Sequence, residues 1–186
     1  CEKQNLKQEL SLFEPEAMID YHTIGGVCDI ANGMVSGLDK AFQLNGEELN
    51  SNEKKHTLNV IKVKNLQSFS YQKITKYIFA NQIDDELDFE ANFPNFYQKL
   101  QDFKQKLEKR YQYNREIKYW AWTFMRSFKL FNTDKNRLFV PCKERISNKN
   151  HFRFAYVESG IFPTQDVTAI FKKEGVRESL HYILAM

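Results

Sequence analysis

Between residues 94 and 110, apolar side chains fall at Phe96, Leu100, Phe103 and Leu107. That spacing of i, i+4, i+7 and i+11 draws one stripe along a helix. Pro94 suits the first turn, and Lys106, Lys109 and Arg110 crowd the last, where the helix dipole favours cations. One amphipathic helix is therefore predicted over 94–110. Elsewhere the period is shorter. Residues 58–63 alternate apolar and polar positions, which predicts a strand pointing Lys62 or Lys64 outward. Residues 77–80, 138–142, 152–157 and 167–171 also read as strands. Ile24, the Gly25-Gly26 pair, Val27 and Ile30 predict two short strands around a tight turn. Gly33 and Gly37 bracket Met34-Val35-Ser36, a loop whose backbone must come close to something. Residues 41–44 look like another strand, 45–56 like a polar surface loop, and 84–91 like an acidic helical turn. The aromatic stretch 117–131 predicts a short helix around Trp120–Arg126, with both tryptophans in the core. A second amphipathic helix, carrying Leu180, Ile183 and Leu184, ends the chain, and residues 1–20 read as a lead-in helix or linker. The class expected is α+β: mixed small sheets of short strands, one long central helix and a C-terminal helix.

Composition narrows the function classes. Hydrophobic residues at 42% and charged residues at 27% exclude a disordered chain, and 186 residues suit one domain. No apolar run approaches the roughly 18 residues that span a membrane, and the polar, acidic N-terminus does not read as a signal peptide. The start at Cys1 suggests a piece of something longer. Cys1, Cys28 and Cys142 form no C-x-x-C pair, so reduced thiols and a cytoplasmic location are expected. The four histidines have no ligand spacing, so no metal is expected. Charge is uneven. Residues 99–153 hold 15 Lys/Arg against 5 Asp/Glu, a net of +10, whereas residues 1–98 carry −6. A basic stretch interleaved with aromatics points to an anionic partner, nucleic acid first.

Catalytic signatures are missing. There is no G-x-G-x-x-G after a strand, no P-loop and no G-x-S-x-G elbow. Ser36 sits in G-M-V-S-G without a base to activate it. The acids Asp84, Asp85, Glu86, Asp88 and Glu90 read as a solvated helix start. The Lys-Glu pair of F-V-P-C-K-E-R lacks the upstream acids of a nuclease core. No self-contained active site is visible.

Three stretches in order carry a family resemblance: T-I-G-G-V-C-D-I-A-N-G-M-V-S-G-L-D-K-A-F (23–42), then F-P-N-F-Y-Q-K-L-Q-D-F-K-Q-K-L-E-K-R (93–110) with Y-W-A-W-T-F-M-R (119–126), then L-F-V-P-C-K-E-R-I, F-R-F-A-Y-V and F-P-T-Q-D-V-T-A-I towards the end. Together they resemble the target-recognition domain of adenine-specific DNA methyltransferases, in particular the TaqI-like C-terminal specificity domain of type II restriction–modification enzymes. Gly33, Ser36, Gly37, Asp39, Ala41 and Phe42 match that family's Gly-flanked loop. Arg110 matches its helix end, Trp120 or Trp122 its aromatic segment, and Pro141 its strand. The family's Asn-Pro-Pro-Tyr catalytic motif has no counterpart, since N-F-P-N-F at 92–96 is a helix start.

The resemblance implies that residues 21–186 are a bacterial DNA target-recognition domain, truncated at its C-terminal end, that is not itself an enzyme. It implies double-stranded DNA and a methyltransferase domain of the same parent chain as partners, with S-adenosylmethionine bound by the parent and no cofactor by this piece. Whether the parent also carries an endonuclease is left open. Phosphate contacts position such a domain and base-edge contacts give it specificity. The residues implied for DNA binding are Ser36, Lys40, Lys62, Lys64, Arg126, Lys143, Arg145, Arg153, Gln165 and Asp166. Two other readings stand beside this one: a basic aromatic module that docks an acidic protein, and an enzyme with a diffuse site.

Overall fold

Buried and half-buried residues alternate along Val167–Lys172, with Val167, Ala169 and Phe171 turned inward. That period of two is what a half-buried strand requires. In the computed structural model, which describes residues 23–144, 152–177 and 179–180, this strand lies between two others in a five-stranded sheet. The strands in chain order are β1 (Cys28–Asn32), β2 (Thr57–Ile61), β3 (Ser68–Phe69), β4 (Thr75–Ile78), β5 (Arg137–Pro141), β6 (Phe154–Val157), β7 (Ile161–Pro163) and β8 (Val167–Lys172). The larger sheet runs β1-β8-β5-β6-β3 and the smaller β4-β2-β7. Pairing is antiparallel except for β3 with β6 and β2 with β7. β7 and β8 are joined by Thr164–Asp166, so this short turn ties one sheet to the other. The fold is α+β, as expected.

Several local expectations give way to tertiary context. Gly25-Gly26 is not a hairpin. Ile24–Val27 is one helical turn, α1, whose first turn is capped by the Thr23 hydroxyl accepting from Gly26 N at 3.1 Å. Residues 41–44 are not a strand, because Asp39–Phe42 forms α2 and buries Ala41 and Phe42. The polar loop over 45–56 contains a helix, α3 (Ser51–Lys55), with a full capping box between Asn50 and Glu53. After α4 (Glu86–Asn92), the long helix is two: α5 (Pro94–Gln101) and α6 (Lys104–Glu108). At the join, Phe103 N donates to Leu100 O at 3.0 Å, an i−3 bond that tightens the turn. Its apolar stripe survives the break, since Phe96, Leu100 and Leu107 are all fully buried. No helix forms around Trp120–Arg126. The helix there is α7 (Phe128–Phe131). The lead-in residues 1–20 and most of the terminal helix lie outside the described residues.

The tryptophans are core, as expected. Trp120 stacks on Phe89 at 5.2 Å and its indole donates to Ile83 O at 3.0 Å. Trp122 donates to Ile78 O at 2.8 Å, and Asn81 brackets its peptide, donating to Trp122 O and accepting from Trp122 N. This satisfies the polar edge of both rings, which burial demands. The region is therefore irregular because side chains, and not a helix ladder, take its backbone groups.

Glu53 is fully buried. Its carboxylate accepts from Asn50 N (2.9 Å), Asn95 N and Nδ2 (2.8 Å each) and Phe96 N (3.3 Å). It thus caps α3 and α5 together, supplying an acceptor to amides that lack intrahelical partners. Glu53→Gln places an amide against these donors, and a loss of about 2 kcal/mol in urea denaturation is expected. An unchanged midpoint would show that the two helix starts do not depend on the carboxylate.

Candidate functional site

The Gly33–Gly37 loop is held by contacts on three sides. Gly33 N donates to Val167 O at 3.0 Å and Met34 N to Pro163 O at 3.1 Å. Val35 exchanges backbone bonds with Phe124 at 3.0 and 3.1 Å. The close approach expected at Gly33 is real: a Cβ there would lie 1.9 Å from Thr164 O. Gly37 has φ +88, and a Cβ there would lie 2.3 Å from Thr123 Oγ1 and 2.7 Å from Arg110 Cδ, so a side chain there meets both strain and steric obstruction.

Arg110 closes the fourth side. Its guanidinium donates to Ser36 O (3.2 Å), Lys118 O (2.9 Å) and Ala121 O (2.6 Å). The loop, the end of α6 and the aromatic segment are thereby clamped to one another. Burial pushes this guanidinium down to about 10, so it remains cationic at neutral pH. Its Nε is buried without a partner among the described residues.

These segments enclose a cleft of about 810 Å³. It is lined by the loop from Met34 to Asp39, by Arg110, Tyr111 and Tyr113, by Thr123, Phe124 and Arg126, and by Gln165. Three of the residues implied for binding, Ser36, Arg126 and Gln165, meet here. Ser36 is buried and its hydroxyl donates to Asp39 Oδ1 at 2.6 Å, so the side chain shapes the loop. Arg126 is exposed, over the face of Phe124 at 5.5 Å, and Gln165 is exposed at the rim. Asp166 lies beside it, accepting the Thr164 hydroxyl. Lys143 is exposed and does not line the cleft, although the preceding Cys142 N donates to Asp166 O at 3.0 Å.

The other implied residues lie elsewhere. Of Lys62 and Lys64, one of which was expected to point outward, Lys64 does so. Lys62 folds onto Asp39 Oδ2 at 2.6 Å, because β2 ends at Ile61 and the side chain lies over Tyr77. Burial alone would pull its pKa down, but the contacts with Asp39 and Tyr77 outweigh it and hold the amine above the usual lysine range. Arg153 is tied to Glu144 at 2.8 Å and to Val63 O at 3.0 Å. Lys40 and Lys64 are exposed, and Arg145 lies outside the described residues.

Much of the +10 segment is consumed internally. Lys99, Lys104, Lys118, Lys135 and Arg153 each pair with a carboxylate, and Arg137 is fully buried, donating to the carbonyls of Phe131, Thr133 and Lys135. Among the described residues no group of three His, Cys, Asp or Glu is arranged to hold a metal ion, Cys28 and Cys142 are free, and no helix is long and apolar enough to cross a membrane.

Similarity to known proteins bears on what this cleft serves. The whole chain aligns at 45% identity over 185 residues with the type II methyltransferase M.HindII of Haemophilus influenzae. The chain is similar to type II methyltransferases. M.HincII of Haemophilus influenzae is 44% identical over 81% of the chain, and M.MjaIV of Methanocaldococcus jannaschii 33% over 77%. The chain spans 35%, 30% and 49% of the lengths of these relatives, so it corresponds to one part of each. No protein-family model matches it.

Sequence reasoning had Arg110 only as a family match and did not assign Tyr111, Tyr113, Arg115 or Phe124 to a site. The signal available was the run R-Y-Q-Y-N-R at 110–115, two tyrosines between arginines just past a helix end.

Proposed function

We propose that this chain is the DNA-recognition part of a type II methyltransferase. It grips double-stranded DNA along the cleft and its rim and presents a target adenine to an S-adenosylmethionine-dependent catalytic domain of the same parent chain, in the cytoplasm. The observation that carries this reading is the end-to-end alignment with about a third of M.HindII. The geometry supports it: a glycine loop pinned at the mouth of a cleft, with Arg126 and Gln165 set around it, supplies both a phosphate partner and base-edge donors and acceptors. The catalytic step belongs to residues outside this chain, so the chain alone is expected to bind DNA without transferring a methyl group.

Binding should weaken steeply with salt, because each phosphate neutralised by Lys or Arg releases counterions. In a titration of duplex DNA across a salt series, Arg126→Ala should either shallow the slope of log K against log salt by about 0.9 or relax preference at one base pair, worth about 1–3 kcal/mol. The first outcome marks a phosphate contact, the second a guanine contact. Absence of duplex binding at every salt concentration would defeat the proposal, and unchanged slope and preference would remove Arg126 from it.

A further inference from the structure

Two aromatic side chains stand at the cleft without being used by the fold. Tyr111 is 71% exposed and Tyr113 67%, whereas both tryptophans are buried. The two tyrosine rings meet edge to face at 6.2 Å, and Tyr111 lies 6.4 Å from Phe124. Arg115 and Arg126 approach the Phe124 ring at 5.0 and 5.5 Å. The result is a run of three rings with two guanidiniums against it, at the wall of a cleft whose volume suits a small planar ligand.

The turn displaying these rings is braced. Gln112 Nε2 donates to Glu108 O at 3.0 Å while its Oε1 accepts from Ile117 N at 2.9 Å. Arg115 Nη2 donates to Thr123 O at 2.9 Å. Tyr113 and Asn114 are both left-handed, with φ 51 and 54. For asparagine that conformation is mild, but for tyrosine it is strained, and strained residues of this kind concentrate where a surface is held ready for a ligand.

The chemistry discriminates among ligands. Asp39, the one carboxylate lining the cleft among the described residues, is already paired with Lys62, so the arginines set the local sign and favour an anion. The rings favour a flat π-face, since base–aromatic stacking is strong and tolerant of sequence. A base paired within a duplex offers only its edge to a groove. A base pushed out of the stack offers its face.

We propose that this cleft receives an unstacked nucleobase of the bound DNA. Tyr113 stacks on it, Tyr111 packs against its edge, Arg126 holds the adjoining phosphate, and Gln165 faces its polar edge. This rests on the DNA-recognition reading and adds to it a site, on this chain, for a nucleotide displaced from the helix.

The test compares a short matched duplex with the same duplex carrying one extrahelical 2-aminopurine. The wild-type chain is expected to bind the bulged duplex about tenfold more tightly and to quench the 2-aminopurine fluorescence. Tyr113→Ala should lose both the preference for the bulged duplex and the quenching, and Tyr113→Trp should keep both. Tyr111→Ala serves as a second variant and should lose part of the quenching. Equal affinity for the two duplexes with no quenching, alongside intact matched-duplex binding, overturns the nucleobase site and leaves DNA recognition standing. Binding to neither duplex removes the DNA-recognition reading and this site with it.

Discussion

Arg110→Ala should lower the stability of the chain by about 3 kcal/mol, near 1 kcal/mol for each hydrogen-bonded carbonyl left behind. The guanidinium donates to Ser36 O, Lys118 O and Ala121 O, adding three bonds between segments otherwise joined by the Val35–Phe124 backbone pair and the Thr123 hydroxyl on Ser36 O. For a chain of this size the loss corresponds to a fall in melting temperature of about 6–12 °C. Arg110→Lys should recover only about a third of it, because an ammonium is a point donor and cannot span three carbonyls as a planar fork does. Below its melting transition the alanine variant should also bind duplex DNA more weakly, since the Gly33–Gly37 loop loses its support. A melting temperature within about 1 °C of the parent would show that the loop is held by its strand contacts alone.

Gly33→Ala is expected to cost about 3 kcal/mol, at the upper end of overpacking effects. The obstruction is backbone, not a yielding side chain: the new Cβ would lie 1.9 Å from Thr164 O and 2.5 Å from its carbonyl carbon. Relief requires the loop to move away from the β7–β8 turn, breaking the bonds from Gly33 N to Val167 O and from Met34 N to Pro163 O. Urea denaturation should show a lower midpoint at nearly unchanged slope. Gly25→Ala is the control. Nothing lies within 4 Å of its Cβ position, and in helix α1 alanine should be neutral or stabilising by up to about 1 kcal/mol. If the two variants denature together, the tight approach at Gly33 is not structural, and the cleft does not depend on it.

The electrostatic pattern teaches a narrower lesson. The +10 middle of the chain suggested one cationic face. In the fold, five of its cations pair with carboxylates, and the half-buried Arg110 and fully buried Arg137 donate to carbonyls. Five of these seven cations have a partner 18 or more residues away along the chain in these pairings: Lys99 meets Glu47, Lys118 meets Asp84, Lys104 meets Glu86, Lys135 meets Glu174 and Arg110 meets Ser36. Charge summed along a segment counts every cation, whereas Coulomb energy depends on distance in space. The smaller set left at the cleft is what can meet an anion.

Sequence by itself determined the elements whose cause is local. Alternation marked β2, strand-like composition marked β5, β6 and β8, the apolar stripe and Pro94 marked the α5–α6 region, and the closeness of Gly33 to its surroundings was visible in the glycine spacing. Large aromatic content placed Trp120 and Trp122 in the core. Only the tertiary structure decided the cleft. Its walls come from the Gly33–Gly37 loop, the end of α6, the stretch after Trp122 and the β7–β8 turn, which meet because β1 pairs with β8, Met34 bridges in parallel to Thr164 and Arg110 joins the rest. A parallel pairing and a side chain reaching three distant carbonyls leave no periodic trace in a sequence, since each depends on which segments become neighbours after folding.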